Sequence, residues 1–548
     1  MSTVTGSDLL AKSLRSQGVE TFFYVMGGPM LETESAAIKL GIRAIDTRHE
    51  QAASMMAHAH ARMTRRPGVA MGCSGPGTTN LVTGLANAFV DAAPVVAIGG
   101  SSPRVQLGTE AFQEIDQVAI MRPITKWAHR VLDARRIPEL VGIAFRQAMT
   151  GRLGPVYLDL PGDILGEKVD DTAVAYPPPW RPAPRSLGET AAIGEAVALL
   201  ARAERPLVIG GSGVWWSDAA AAFQALVETT GIPFYTTPIS RGTVAEDHSL
   251  AFLNARAKAF ADADVVLAVG TRFNYVIQFG RAPRFAADLK VIQVDVDPTE
   301  LGHNRAVDVP IVGDARAVLA QLAAEARGRI DPGRYAAWVD RLRAIDREKD
   351  AEMAKQMSTD QTPIHPLRLC REIRDFLRRD AVLVVDGQEI LNYGRQSIPT
   401  FTPGHRLNSG PFGCMGVGLP FGVGAKVALP ETQVVVLHGD GSYGLNAMEI
   451  DTAVRHRIPV LVVISNNGGW TADAPWARPD PKPGRNLGFT RYDRVAEDLG
   501  AHGEFVEKPH EIRPALERAA ASGKPAVVNV ITDPKARAQT VRFSAYTT

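Results

Sequence analysis

Cysteine, excess charge and long apolar runs are all scarce in this sequence. Only three cysteines occur in 548 residues, Cys73, Cys370 and Cys414, each alone in an apolar context with no CxxC pair and no histidine at metal-ligand spacing. That excludes a disulfide framework and a zinc cluster and fits core thiols in a reducing compartment. Net charge is only +1, which removes the electrostatic case for nucleic acid or a membrane surface. No run approaches eighteen apolar residues, and the amphipathic N-terminus MSTVTGSDLLAKSLRSQGVE has no signal-type apolar core. The expectation is a cytoplasmic protein with no membrane partner, in which any anionic ligand is held by local groups.

What remains is ordinary globular composition, 45% hydrophobic and 22% charged, in a chain too long for one core. Two breaks divide it. AYPPPWRPAPR, Ala175 to Arg185, reads as an extended linker, and the charged run from Arg347 to Pro366 ends in TPIHP. The expected domains are 1–175, 186–346 and 366–533, with a tail at 534–548. Each alternates apolar strands with amphipathic helices, so the fold class is α/β, three doubly wound domains with mostly parallel sheets. Val69 to Gly100 repeats the strand, glycine loop, helix, proline and strand order of Val434 to Gly469, a weak internal repeat relating the first and third domains. Two such domains pair across a cleft.

Val434 to Leu437 and Leu461 to Ile464 read as buried strands joined by one helix, with Leu445, Met448, Ile450, Ala453 and Val454 at helical spacing and Pro459 ending it. Such a crossover brings Asp440 and Asn467 to one sheet edge. Gly439 and Gly441 let backbone N–H groups approach an anion. Asp440, Asn467 and a carbonyl beside Gly469 are hard oxygen donors suited to Mg²⁺ that keeps water and phosphate oxygens as its other ligands. Taken singly, GDG is a turn and NNGG a strand-ending loop.

GDG, twenty-four residues, then NN and glycine resembles the cofactor motif of the thiamine diphosphate enzymes. The resemblance covers essentially the whole chain. It implies thiamine diphosphate and Mg²⁺ as cofactors, with Asp440, Asn467 and the carbonyl of Gly469 on the metal and Gly439, Gly441 and Ser442 at the diphosphate. In RHEQAA, Glu50 opens a helix. Thr47 and Glu50 could form a capping box, or Glu50 is a desolvated carboxylate against a ligand nitrogen; the resemblance implies the latter, on the pyrimidine ring. His49, His58 and His60 read as surface or packing residues.

The same resemblance places Gly28 and Pro29 of MGGPM, and Asn80 of GCSGPGTTN, near the cofactor of the partner subunit. Gly387 and Gln388, which follow the strand VLVV, should lie beside the diphosphate. In GPFGCMGVGLPFGVGA, Met415 is expected to wedge the cofactor, with Gly413 and Met415 holding the pyrimidine edge. GTEAFQE makes Phe112 and Gln113 candidates to line the reaction centre, against a plain core role for Phe112.

RFNYVIQFGRAPRF, Arg272 to Phe285, is similar to the 2-hydroxyacyl-CoA lyase and oxalyl-CoA decarboxylase branch, including the bacterial type acting on 2-hydroxyisobutyryl-CoA. The expected activity is reversible cleavage of a 2-hydroxyacyl-CoA to formyl-CoA and an aldehyde or ketone, by a homo-oligomer arranged as a dimer of dimers. Arg272, Asp295 and Asp297 are the expected nucleotide contacts of the middle domain, which is a candidate site for ADP. Arg478 and Arg485 in the loop from Trp470 to Phe489, and Arg537 in the tail, are expected to face the acyl-CoA. Oxalyl-CoA decarboxylase is one alternative; an acetolactate synthase-like carboligase, which would need FAD and a 2-oxoacid, is another.

Overall fold

A computed structural model describes residues 3–181, 184–470 and 484–538. The central strands of each of three parallel sheets are short and buried on both faces, which is why their sequences read as unbroken apolar runs, whereas edge strands such as Val309–Val312 alternate buried and exposed residues. The first sheet runs in space Arg43–Asp46, Thr21–Tyr24, Gly68–Gly72, Val95–Ser101, Val156–Pro161, Ala128–Arg130. The third runs Arg406–Leu407, Val382–Asp386, Val434–Gly439, Leu461–Asn466, Ala526–Ile531, His502–Val506. Numbered along the chain, both read two, one, three, four, six, five. The repeat suspected from one stretch of sequence is therefore a repeat of whole sheets.

The middle sheet has five parallel strands, ordered Phe234–Thr236, Pro206–Gly210, Val265–Val269, Lys290–Asp295, Val309–Val312, around its own core. The charged run after Arg347 does not leave the preceding helix at once, because Ala336–Met357 is a single helix of 22 residues.

The first and third sheets share a core. Helix Glu50–Thr64 crosses helix Gly418–Ala428, and Ala52, Met55, Met56 and Ala59 pack with Leu419, Phe421 and Val423. A buried polar knot pins the crossing: Asp91 receives His58 at 3.0 Å and Arg62 at 3.4 Å, while Arg62 donates to the carbonyls of Arg406 (2.9 Å) and Asn408 (3.3 Å). Beside it, Arg272 of the middle domain donates to the Val90 carbonyl at 2.6 Å, so all three domains meet there.

One local expectation fails. The single helix between the two central strands of the third sheet is two short ones, Asp440–Gly444 and Glu449–Arg455. They are joined by i→i+3 turns, in which Asn446 N–H donates to Tyr443 O at 3.2 Å and Glu449 N–H to Asn446 O at 3.0 Å, while the Asn446 side chain donates to the Gly416 carbonyl at 2.8 Å. Leu445 and Met448 are exposed and Ile450 and Ala453 buried. Among the described residues, no helix is long and apolar enough to cross a membrane.

Candidate functional site: a cluster of oxygens at a parallel strand edge

Strands Val434–Gly439 and Leu461–Asn466 are adjacent and parallel, so their C-terminal ends deliver Asp440 and Asn467 to one point. The side-chain oxygen of Asn467 lies 3.0 Å from Asp440 Oδ1 and 2.9 Å from the Gly469 carbonyl oxygen. Three acceptors at that spacing repel unless something positive sits between them. One resolution is an amide turned to donate its NH₂ to both neighbours; the other is a cation. Adjacent corners of an octahedron with metal–oxygen bonds of about 2.1 Å are about 3.0 Å apart, so the donor set fits Mg²⁺. Asp440 adds a second sign, since its Oδ2 is buried with no hydrogen-bond partner among the described residues. Burial also pushes its carboxyl up to about 6.

Gly469 can be nothing else. Its φ is +153°, and a Cβ there would stand 2.0 Å from the Arg485 carbonyl oxygen. That approach belongs to a short ladder in which Trp470 N–H donates to Arg485 O at 2.8 Å and Leu487 N–H to Gly468 O at 2.9 Å.

Gly387, Gln388, Met415, Gly439, Asp440, Gly441, Ser442, Asn467 and Gly469 all line one cavity. Trp470 and Ala536, at the start of the loop and in the tail that the sequence places over the substrate, line it too, as do Ser465 and Asp533, which no motif in the sequence singles out. Ala538 N–H donates to Glu389 at 2.8 Å and holds the start of that tail at the cavity. Gly413, at φ +70°, is exposed and outside the lining. Arg478, the rest of the loop through 483, and the tail beyond 538 lie outside the described residues.

No first-domain residue lines this cavity. The first-domain candidates form their own group. Glu50 is 7% exposed and receives Asn80 Nδ2 at 2.9 Å. The capping-box alternative is not what forms, because His49 Nδ1 accepts the Gln51 N–H and Thr47 turns its hydroxyl to the carbonyls of Tyr24 and His49. The Gly28 carbonyl, next to Pro29, accepts the Ser74 N–H at 3.3 Å, and Ser74 Oγ donates to Gln113 at 2.6 Å, tying three of the predicted loops together. Phe112 is 86% exposed, which rules out the core role. His58 is a buried packing residue and His60 a half-buried one, each ring set edge-on to a phenylalanine.

In the middle domain, Arg272 is committed to Val90, and Asp295 and Asp297 accept backbone N–H groups of their own turn. The positive charge is elsewhere. Arg241, Arg256 and Arg284 of the middle domain face Arg395 and Arg406 of the third closely enough to repel one another. Glu246 neutralises Arg241, at 2.7 and 2.5 Å. Burial and the neighbouring Arg395, Arg284 and Arg241 push Arg256 down to about 9, and Arg256 Nε and Arg406 Nη2 have no partner among the described residues. The guanidinium groups of Arg256 and Arg284 flank Phe260 at 5.1 and 5.2 Å from its ring centroid. Scattered over 165 residues of chain, these arginines leave no spacing signature.

Three family models match the chain. Residues 4–120 and 391–530 match the thiamine pyrophosphate enzyme N-terminal and C-terminal TPP binding domains, and residues 193–322 match the central domain of the same enzymes. A probable acetolactate synthase of Mycobacterium bovis is 38% identical over 97% of this chain and 96% of its own. A 2-hydroxyacyl-CoA lyase of Arabidopsis thaliana is 36% identical over 99% and 98%. The oxalyl-CoA decarboxylase of Escherichia coli strain K12 is 34% identical over 97% and 95%.

Proposed function

Because the chain belongs to the thiamine pyrophosphate enzymes, we propose that it is a Mg²⁺-dependent carbon–carbon lyase that cleaves a 2-hydroxyacyl-CoA to formyl-CoA and an aldehyde or ketone. The observation that carries the CoA ester over a bare 2-oxoacid is the arginine group between the middle and third domains. Arg241 and Arg406 are also held by backbone carbonyls, but the half-buried Arg256, Arg284 and Arg395 repel one another, and the phosphates of CoA would supply the anion that relieves them.

When bound, thiamine diphosphate supplies the electron sink for breaking the C1–C2 bond. The protein's part is to bind and orient. Asp440, Asn467 and the Gly469 carbonyl would hold Mg²⁺, and Glu50 would hold a proton at the pyrimidine ring nitrogen. Gln113, anchored by Ser74, and Phe112 would face the substrate. The balance is simple: the hydroxyl oxygen becomes the carbonyl oxygen of the product, and one proton ends on the formyl carbon.

A second copy of the chain completes this reading. Among the described residues the cavity is walled by the third domain and the start of the tail, whereas Glu50, which opens helix Glu50–Thr64, and its partner Asn80 belong to the first domain. A partner's first domain would close the cavity, so the active form is a dimer or a multiple of one.

The test is product analysis by mass spectrometry after incubating the protein, thiamine diphosphate and Mg²⁺ with 2-hydroxyacyl-CoAs, oxalyl-CoA or pyruvate. Formyl-CoA with an aldehyde or ketone from the hydroxyacyl esters supports the lyase. The 38% identity to a probable acetolactate synthase favours a second reading, and acetolactate from pyruvate, with flavin absorbance in the purified protein and no CoA ester consumed, would establish it instead.

A further inference from the structure

His438 is the penultimate residue of strand Val434–Gly439, two residues before Asp440, and is 1% exposed. Its Nε2 lies 2.9 Å from the backbone nitrogen of Leu419, in the first turn of helix Gly418–Ala428. An amide N–H can only donate, so Nε2 is the bare nitrogen and the ring proton is on Nδ1. Nδ1 lies 3.0 Å from Ser442 Oγ, which lies 3.0 Å from the Gly439 carbonyl. The direction of the chain follows: Leu419 N–H to imidazole, imidazole N–H to serine, serine O–H to carbonyl. Space there is fully used, because a Cβ on Gly418 would stand 2.2 Å from His438 Nε2. Asp386 Oδ2, 3.7 Å from Nδ1, is itself held by the Gly418 N–H at 2.9 Å.

A hydroxyl that receives a fixed donor has its own proton left to give. It therefore presents an O–H, never a lone pair alone, and an O–H is what a phosphate oxygen accepts. We propose that His438 is a positioning residue that obliges Ser442 to act as a hydrogen-bond donor to the cofactor diphosphate and locks that serine to the start of the helix following Met415. The proposal rests on the thiamine diphosphate reading of the cavity. Ser442 would exchange its Gly439 acceptor for a phosphate oxygen while the imidazole stays in place.

The two ring nitrogens give the test its direction. His438→Asn keeps an amide N–H near the Nδ1 position, whereas His438→Gln extends to the Nε2 position and leaves Ser442 without its donor. Binding of thiamine diphosphate in excess Mg²⁺ is followed by isothermal titration, with circular dichroism melts checking the fold. The expected result is His438→Asn within about threefold of the unsubstituted protein, His438→Gln and Ser442→Ala each weaker by roughly tenfold, and the His438→Gln/Ser442→Ala double variant no weaker than Ser442→Ala alone. Equal losses for Asn and Gln, or effects that multiply in the double variant, would overturn the proposal. Absence of saturable binding by the unsubstituted protein would instead overturn the cofactor reading and the proposal with it. If the His438 variants do not fold, Ser442→Ala with unchanged affinity is enough to reject it.

Discussion

The Glu449 carboxylate of the third domain accepts the backbone N–H of Arg48, in the first, at 3.1 and 3.3 Å from its two oxygens. Glu449 is 1% exposed, it also accepts the Thr452 hydroxyl at 2.7 Å and the backbone N–H of His49, and Arg48 stands two residues before Glu50. A residue of the domain that holds the oxygen cluster thus fixes the loop from which Glu50 projects. Glu449→Ala leaves the Arg48 N–H and the Thr452 hydroxyl unpartnered, and the expected cost is about 1 to 3 kcal/mol by urea unfolding. Displacing Glu50 by a fraction of an ångström should also lower kcat by roughly tenfold or more. Unchanged kcat in a folded variant would separate Glu449 from the positioning of Glu50.

Glu34 offers a pH test far from the oxygen cluster. It is 5% exposed, its Oε1 has no partner among the described residues, and burial pushes its carboxyl up to about 7. A carboxyl raised in the folded state favours folding while protonated, so its contribution is full below the unfolded value near 4.5 and is lost as pH rises through about 7. Glu34→Gln removes that dependence. It should leave stability at pH 5 nearly unchanged and raise it at pH 8 by roughly 3 kcal/mol, read from melts at the two pH values. Parallel pH dependence in the two proteins would contradict this.

Legibility in the sequence followed the range over which each interaction acts. The strand edge bearing Asp440 and Asn467 could be read because a glycine loop, two apolar runs and the crossover between them are local. The split of the helix after Gly444 was hidden because apolar spacing alone does not show it, and the turn that joins the two halves carries Asn446, whose partner Gly416 is thirty residues away in the chain. Glu50 could be read from its neighbours either as a cap or as a ligand-facing carboxylate, and the choice rests on long-range contacts, since the fold gives the cap to His49 and brings Asn80 to Glu50. The arginine group could not be read at all, since its members meet only when the middle and third domains do.

That group yields a kinetic prediction. Substituting Arg256 or Arg395 by alanine removes a buried cation that repels its neighbours, so the ligand-free protein should melt no lower than the original. If the guanidinium groups receive CoA phosphates, the loss is of uniform binding. KM for the CoA ester should rise about 10- to 100-fold with kcat little changed, while turnover of a substrate lacking CoA is unaffected. An unchanged KM would remove the observation on which the CoA reading depends.

The oxygen cluster itself sets metal binding against stability. Asp440 Oδ1, the Asn467 amide oxygen and the Gly469 carbonyl oxygen converge when the amide faces inward, and Asp440 Oδ2 lacks a partner among the described residues. Such an arrangement is costly alone and favourable around a divalent cation. Asp440→Asn puts an NH₂ group where a repelling oxygen was, so the variant without ligands should melt at or above the temperature of the original. The same change removes the only formal negative charge of the three donors. Thiamine diphosphate with Mg²⁺, at a hundred times its Kd, should stabilise the original by about 3 kcal/mol and the variant by nearly nothing. EDTA should abolish the difference between them. A variant that melts lower than the original without ligands, yet still gains stability from cofactor and metal, would mean that Asp440 is an ordinary structural carboxylate and that the cation is held elsewhere.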